Sequence, residues 1–306
     1  MARRRKGTPI HGWMVIDKPA GATSTHVLSK VRRLIGAEKA GHGGTLDPLA
    51  TGVLPIAFGE ATKTVAYAMT GEKTYRFSVR WGEARATDDA EGAVTETSDL
   101  RPSEADIRRV LPQFIGTIDQ VPPDFSAIKV AGQRAYKLAR QAQPVALKAR
   151  PVIVNSLNLI NIPDADHADF EVLGGKGLYV RSLGRDLARV LGTVGYISAL
   201  RRTRVGPFRV EAAISLDKLE ALGHSPALLE CLLPVETALD DIPALALTES
   251  EAARLKLGQP LQALCTGSPA SRLSDGTVAY ATAAGKPVAL VRLDGALLRP
   301  VRVLNL

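Results

Sequence analysis

The segment Ala40-Gly41-His42-Gly43-Gly44-Thr45-Leu46-Asp47-Pro48-Leu49-Ala50-Thr51-Gly52 constrains this chain more than any other. Glycines at 41, 43, 44 and 52 remove side chains that a helix or strand would pack, and they admit backbone conformations closed to other residues. The segment is therefore a shaped loop between regular elements. Pro48 biases Asp47 away from the helical region and toward an extended, projecting conformation. A carboxylate displayed this way suits either an Asx-type turn or a reactive group. The flanking glycines favour the second reading, because they let a backbone or a planar base come close. His42, in the same loop, suits stacking or a contact to phosphate.

Around the loop the pattern alternates between strand and helix. Trp13-Met14-Val15-Ile16-Asp17 closes on Lys18-Pro19 and Gly21 and reads as a buried strand ending in a turn. A helix follows, capped by Ser24 or Thr25, with Val27, Leu28, Val31, Leu34 and Ile35 at helical spacing and Gly36 as its stop. Tyr75, Phe77, Val79 and Trp81 alternate with Thr74, Arg76, Ser78 and Arg80, which marks a strand with one core face and one cationic face. Ser103 starts another helix with Asp106 in the capping-box position, and Leu183, Leu187, Val190 and Leu191 define one that ends at Gly192.

These elements lack the regular repeat of a doubly wound sheet. The expected fold class is α+β, with a catalytic domain over residues 1–240 built on a mixed, mostly antiparallel sheet. Texture changes between Pro234 and Pro243. A capped helix over residues 248–257 then gives way to short apolar runs separated by Gly, Pro and Asp, so residues 241–306 are expected to form a small β-rich module.

With 306 residues, 45% of them hydrophobic and 23% charged, the chain can bury a sizeable core. Cys231 and Cys265 stand in unrelated contexts and offer neither a disulfide framework nor a CxxC metal site. The five histidines fall in no HxxxH or HExxH spacing. Thr87-Asp88-Asp89-Ala90-Glu91-Gly92 lacks the ligand spacing of a calcium loop. The expectation is chemistry without metal or cofactor in a reducing, cytoplasmic setting. After the basic arm at residues 1–6 no apolar stretch of signal-peptide length follows, and no run is long enough to span a membrane, so no membrane partner is expected. That basic arm reads as solvated and within reach of phosphate.

The charge balance is +8, which favours a polyanionic partner. From Phe125 to Pro163 there is no Asp or Glu, while Lys129, Arg134, Lys137, Arg140, Lys148 and Arg150 all fall there. Charge of one sign forgoes i,i+4 pairing and costs self-repulsion, so docking on nucleic-acid phosphates accounts for it better than a solvated face does. Arg201, Arg202, Arg204 and Arg209 form a second cationic cluster.

From Gly41 through Leu54 the chain resembles, over the whole stretch, the catalytic motif of the TruB family, bacterial tRNA pseudouridine synthases acting on uridine 55 of the TΨC loop. Gly12 to Lys18 with Pro19, Gly21 and Thr23-Ser24 resembles the family's first motif, and Gly59-Glu60-Ala61-Thr62-Lys63 follows in the expected place. Lys73-Thr74-Tyr75 resembles the tyrosine motif, Pro122-Pro123 to Tyr136 the RNA-gripping segment, and Gly175 to Leu183 the arginine motif. Leu200-Arg201-Arg202-Thr203 to Gly206-Pro207-Phe208 is similar as well. The resemblance covers about residues 10–215, and residues 241–306 look like a divergent PUA-type RNA-binding module. Where the family usually reads Thr-Asp-Thr, this chain has Arg85-Ala86-Thr87. Thr87, Asp89 and Gly92 keep register, and no role is carried over to Asp89.

The resemblance implies a pseudouridine synthase-like catalytic domain with an RNA-gripping insertion at about residues 122–152, and a cofactor-free isomerase. Such a reaction breaks the N1–C1′ bond of uridine, turns the base and joins C5 to C1′. It needs a reactive carboxylate, a closed pocket and a group that removes the C5 proton. Asp47 matches the first role, with attack at C1′, attack at C6 and proton removal from C2′ all open. Tyr75 is expected to stack on the flipped base and assist proton removal, Arg181 to pair with Asp47, and Tyr179 and Leu200 to wall the pocket. His42 is expected to fill the space the base leaves; flipping itself costs roughly a few kcal/mol. Lys63, Lys129, Arg134, Lys137, Arg140 and Arg202 complete the expected RNA contacts. The implied partner is tRNA, its T arm on the catalytic domain and its acceptor stem on the C-terminal module, with the enzyme a monomer that also assists tRNA folding. Two competitors are a non-catalytic RNA-binding protein, which has no use for the Asp47, Tyr75 and Arg181 set, and an aspartate-dependent hydrolase, which wants a second carboxylate or metal ligands near Asp47.

Overall fold

A computed structural model describes residues 7–130, 132–141, 143, 145–223, 225–263 and 273–306. The basic arm at residues 1–6, His224 and Cys265 lie outside the described residues.

The chain begins with β1 (Gly12–Lys18), α1 (Ser24–Ile35), β2 (Ala40–His42), β3 (Thr51–Phe58), α2 (Val65–Thr70) and β4 (Lys73–Trp81). A hairpin of β5 (Glu83–Arg85) and β6 (Val94–Thr97) precedes α3 (Glu104–Val110) and β7 (Gly116–Gln120). A smaller hairpin, β8 (Lys129–Val130) and β9 (Gln133–Arg134), leads into α4 (Ala135–Arg140). Then come β10 (Arg150–Asp164), β11 (His167–Gly174), α5 (Val180–Val190), β12 (Gly195–Val205), β13 (Phe208–Arg209), β14 (Ile214–Ser215), α6 (Leu216–Leu222) and α7 (Ala227–Glu230). The last stretch holds β15 (Ala244–Ala246), α8 (Glu249–Lys256), β16 (Leu261–Gln262), β17 (Val278–Ala283), β18 (Lys286–Asp294) and β19 (Leu297–Val303).

The large sheet runs β14-β1-β3-β12-β4-β11-β10-β7, with β2 beside β3 and β13 beside β12. Within this sheet, among the described residues, only β1–β14 and β3–β12 pair in parallel. This is the α+β architecture with a mixed, mostly antiparallel sheet that the element pattern predicts. Tyr75, Phe77, Val79 and Trp81 of β4 do face a core, packing with Phe170, Leu183 and Leu187. The Phe77 and Phe170 rings stack at 5.3 Å, and Trp81 meets Phe170 edge-on. Toward the β14 edge, Met14, Ile16, Leu54 and Ile56 pack against Val27 and Val31 of α1 and Leu219 of α6.

Thr23, not Ser24 or Thr25, caps α1: its side chain accepts from the His26 N–H, which leaves Ser24 free to turn inward. Gly36 ends the helix at φ 70° as expected. Ser103 caps α3 by accepting from the Asp106 N–H, and Thr248 with Glu251 forms a full capping box at α8.

The C-terminal strands form a second sheet, β15-β17-β18-β19-β16, over a core that includes Leu245, Leu255, Ala279 and Val291. The chain then returns to the first domain. Leu304 is fully buried among Trp13, Val205 and Phe208, and the Asn305 N–H donates to Glu60 Oε2 at 2.8 Å. Among the described residues no helix is long and apolar enough to cross a membrane.

Candidate active site

Where β3, β12 and β4 lie side by side, the loop after β2 folds over their ends and closes one wall of a cleft of about 360 Å³. Thr45, Leu46 and Asp47 come from that loop, Tyr75 from β4, Ser126 to Ile128 from the segment before β8, Tyr179 and Arg181 from the start of α5, and Leu200 and Arg202 from β12. Residues up to 157 positions apart thus meet in one place.

Three side chains hold the Asp47 loop in shape. Arg202, 1% exposed, donates to the carbonyls of Val53 (2.8 Å), Gly44 (3.0 Å) and Thr45 (3.4 Å). Ser24 Oγ both accepts from the Leu46 N–H and donates to its carbonyl. Lys18, buried at the end of β1, donates to the carbonyls of Pro19, Ala22 and Pro48. Asp47 is therefore gripped on both sides through its neighbours' backbone. The β3–β12 junction demands glycine: at Gly52, φ +98°, an added Cβ would lie 2.1 Å from the Arg202 carbonyl oxygen. Burial lowers the Lys18 ammonium to about 8, with Asp47 working against that shift. Burial likewise lowers Arg202, opposed by Tyr75 and Asp47.

Arg181 is the pivot of the cleft. Its side chain is 4% exposed, and Nε lies 2.9 Å from Asp47 Oδ2 and 3.6 Å from Asp89 Oδ2. These are ion pairs, with the Nε–H aligned on neither carboxylate. Its two terminal nitrogens donate to the carbonyls of Thr87 (2.9 Å) and Phe125 (3.0 Å). Asp47 is 36% exposed and so faces the cleft, whereas Asp89 is buried and accepts from Thr87 Oγ1 and the Glu91 N–H. One buried cation between two carboxylates can orient the exposed one while its charge stays compensated. Asp89 thus lies at the site although Arg85-Ala86 just before it departs from the family pattern, and the register kept by Thr87, Asp89 and Gly92 is the signal that marks it. Next to it, Asp88 sits at φ 58° and pairs with Arg185 at 2.9 Å, and burial raises its pKa against the pull of Arg185 and Arg181.

The sequence profile of the TruB family pseudouridylate synthase N-terminal domain matches residues 32–180, and that of the tRNA pseudouridylate synthase B C-terminal domain matches residues 181–240. A relative in Rhodospirillum rubrum described as tRNA pseudouridine synthase B is 54% identical over 308 residues, covering 100% of both chains. Another of the same description in Caulobacter vibrioides is 50% identical over 310 residues, again covering 100% of both. This chain belongs to the TruB family. In fold it is similar to a chain of a Cbf5-Nop10-Gar1 complex (TM-score 0.75, 25% identity, 99% of this chain and 91% of that one). It is also similar to a chain of an H/ACA RNP bound to a substrate RNA containing 2′-deoxyuridine (TM-score 0.74, 23% identity, 100% and 92% covered).

In this TruB chain the cleft draws on both matched parts. Asp47 and Tyr75 come from the first, Arg181, Leu200 and Arg202 from the second. Tyr75 and Leu200 are 9% and 7% exposed and present their cleft sides as apolar walls. The Tyr179 backbone is held by Gln120, which donates to its carbonyl and accepts from its N–H, and the Arg150 guanidinium lies 5.6 Å over its ring. His42 is outside the cleft lining; it pairs with Ile56 in the sheet, and burial and the nearby Arg202 lower its pKa below the usual imidazole value.

Lys129, Arg134, Lys137 and Arg140 are exposed on the β8–β9 hairpin and α4, as a phosphate-contacting surface requires. Two assignments are corrected. Arg202 is buried and bonded to three backbone carbonyls, so it holds the Asp47 loop and has no reach to a phosphate backbone outside the cleft. Lys63 donates to Glu60 Oε2 (2.6 Å) and the Val303 carbonyl (2.7 Å), tying the C-terminal tail to the first domain. The cluster at 201–209 also breaks up: Arg201 forms a two-pronged pair with Asp17, Arg204 donates to the Gly206 carbonyl, and Arg209 alone is exposed. Lys73, Lys176 and Ser126 line the cleft without having been singled out as site residues. All three lie in motifs that resemble the family's, which is their sequence signal.

Proposed function

We propose that this chain isomerises uridine 55 in the TΨC loop of tRNA to pseudouridine, as a cytoplasmic, monomeric enzyme that needs no cofactor. The observation that carries the reading is a half-exposed carboxylate, Asp47, facing a walled cleft and paired with a buried arginine.

The reaction is a rearrangement. The N1–C1′ bond breaks, the uracil turns within the closed pocket, C5 bonds to C1′, and the proton released from C5 balances the one gained at N1. No oxidant, reductant or group donor enters. Asp47 supplies the carboxylate that opens the sequence, and Arg181 orients it and provides its counter-charge. Tyr75 and Leu200 hold the detached base between them, and Tyr75 assists removal of the C5 proton. A uridine in a folded loop must leave its stack first, at a cost of roughly a few kcal/mol. The exposed cations of the β8–β9 hairpin and α4 offset that cost by binding the T-arm backbone. Arg181 donates to the Phe125 carbonyl at the root of this basic segment, so RNA docking and the catalytic carboxylate share one anchor. The acceptor stem reaches the C-terminal module.

Purified protein is expected to release tritium from tRNA labelled at uridine C5, and mapping of the product is expected to place the modification at position 55. Tight tRNA binding without release would leave only an RNA-binding protein.

A further inference from the structure

The cleft gathers more positive charge than its chemistry uses. Of the five cations that line it, Arg181 is matched by Asp47 and Asp89, and Arg202 is bonded to loop carbonyls. Lys73, Lys176 and Arg150 remain, and among the described residues none of the three forms an ion pair. Sheet order explains why they converge. The strands β4, β11 and β10 are neighbours; Lys73 at the start of β4 pairs with Gly174 at the end of β11, Lys176 follows two residues later, and Arg150 begins β10 at the same end.

Lys73 is also preset for a ligand. Its Nζ donates to the carbonyls of Met69 (2.9 Å) and Gly71 (2.6 Å), which fixes the ammonium and leaves the third N–H without a protein acceptor. The Arg150 guanidinium lies over the Tyr179 ring, with its Nε buried and without a partner among the described residues. Lys176 is exposed on a loop between Gly175 and Gly177. Like charges so placed repel one another: burial first, then Arg202 and Lys176, lower the Lys73 ammonium to about 8. An anion would relieve that repulsion, and the cleft contains none besides the paired Asp47.

We infer that Lys73, Lys176 and Arg150 form a phosphodiester subsite at the cleft rim that takes one backbone phosphate adjoining the flipped uridine. The inference rests on the proposed RNA substrate and adds to it: the enzyme grips the target nucleotide by its own phosphate as well as by its base. Such a contact sets where C1′ stands relative to Asp47.

The test uses T-arm hairpins carrying a neutral methylphosphonate in place of the phosphate 5′ or 3′ to the target uridine, with one in the distal stem as control. For the wild-type protein, one of the two adjoining substitutions is expected to weaken binding about tenfold more than the control does. Lys73→Gln, Arg150→Gln and Lys176→Gln are each expected to weaken binding of the native hairpin about three- to tenfold and to lose little further on the neutralised one. Lys73→Arg should restore coupling. Lys176 is exposed, so its variant tests the idea even if a buried variant fails to fold. Losses that multiply fully, or variants that bind native RNA like wild type, overturn the subsite. Absence of tritium release by the wild-type protein would instead sink the functional reading, while the binding cycle could still be measured.

Discussion

In the proposed reaction a single carboxylate, Asp47, bears the chemistry, and its surroundings set what its loss does. Asp47→Asn keeps the shape of the side chain but removes its use as base or nucleophile, so turnover is expected to fall by on the order of a thousandfold or more. RNA affinity should stay within about tenfold, because one cleft residue contributes little to binding carried by phosphate contacts. Asp89 stays beside Arg181 in the variant, so the buried cation is not left uncompensated and the melting temperature should change little. Tritium release near the wild-type rate, with deamidation excluded by mass spectrometry, would overturn the assignment. Lys73 gives a second test through pH. Burial first, then Arg202 and Lys176, lower its ammonium to about 8 in the free protein, and a bound phosphate would raise that value. Its contribution to RNA affinity is then fully present below about pH 8 and fades as pH rises above it. Because Lys18 titrates in the same range, the difference between wild type and Lys73→Gln is the quantity to follow. Anisotropy titrations from pH 7 to 9.5 should show the two proteins converging, and parallel curves would contradict the phosphate contact.

At the level of elements, the one-signed stretch after Phe125 becomes a small hairpin and a six-residue helix whose cations point outward. A helix this short has no stability of its own and depends on its attachments. Those include backbone bonds, from Ala135 N–H to the Ile128 carbonyl and from Tyr136 N–H to the Ser126 carbonyl, which remain when the cations are changed, and a side-chain bond from Arg134 to the Ala127 carbonyl, which is lost. Replacing Lys129, Arg134, Lys137 and Arg140 with Gln is expected to flatten the dependence of tRNA affinity on salt by about three to four phosphate equivalents. A wild-type slope in this variant would move the RNA face elsewhere. The other decisive element is the parallel pairing of β3 and β12, which sets Gly52 against Arg202 and so places the loop over the cleft.

The molecule as a whole is closed by its last residues. Leu304 fills a gap between Trp13, Val205 and Phe208, and Lys63 and Glu60 bind the backbone on either side of it. Leu304→Ala is expected to cost about 2–4 kcal/mol in urea unfolding. A change below about 1 kcal/mol would show that the tail is not part of the core. A fragment ending at residue 240 keeps Asp47, Tyr75, Arg181 and Leu200 but loses Leu304. It should melt earlier than the full chain yet still modify an isolated T-arm hairpin, with the missing module costing affinity mainly for full-length tRNA.

Local sterics and periodicity determined much of this in advance. Glycines and Pro48 mark the Asp47 segment as a loop, the alternation of β4 dictates its buried face, and Ser103 and Thr248 cap helices through atoms three residues away. Of the single-sign run, Lys129, Arg134, Lys137, Arg140 and Lys148 are exposed, whereas Arg150 is half-buried. Tertiary structure alone decided which of several similar residues goes inside. Arg201 and Arg202 are adjacent and chemically equal, yet one pairs with Asp17 at half exposure and the other is buried behind the loop. Strand pairing made that choice: β12 meets β3 on one side and β4 on the other, with a register shift between Arg202 and Arg204. Ser24, Lys63 and Asp89 follow the same logic, each meeting a partner between 22 and 240 residues away in sequence. Such partners are set by how sheets and tails assemble, and no local pattern in the chain carries that information.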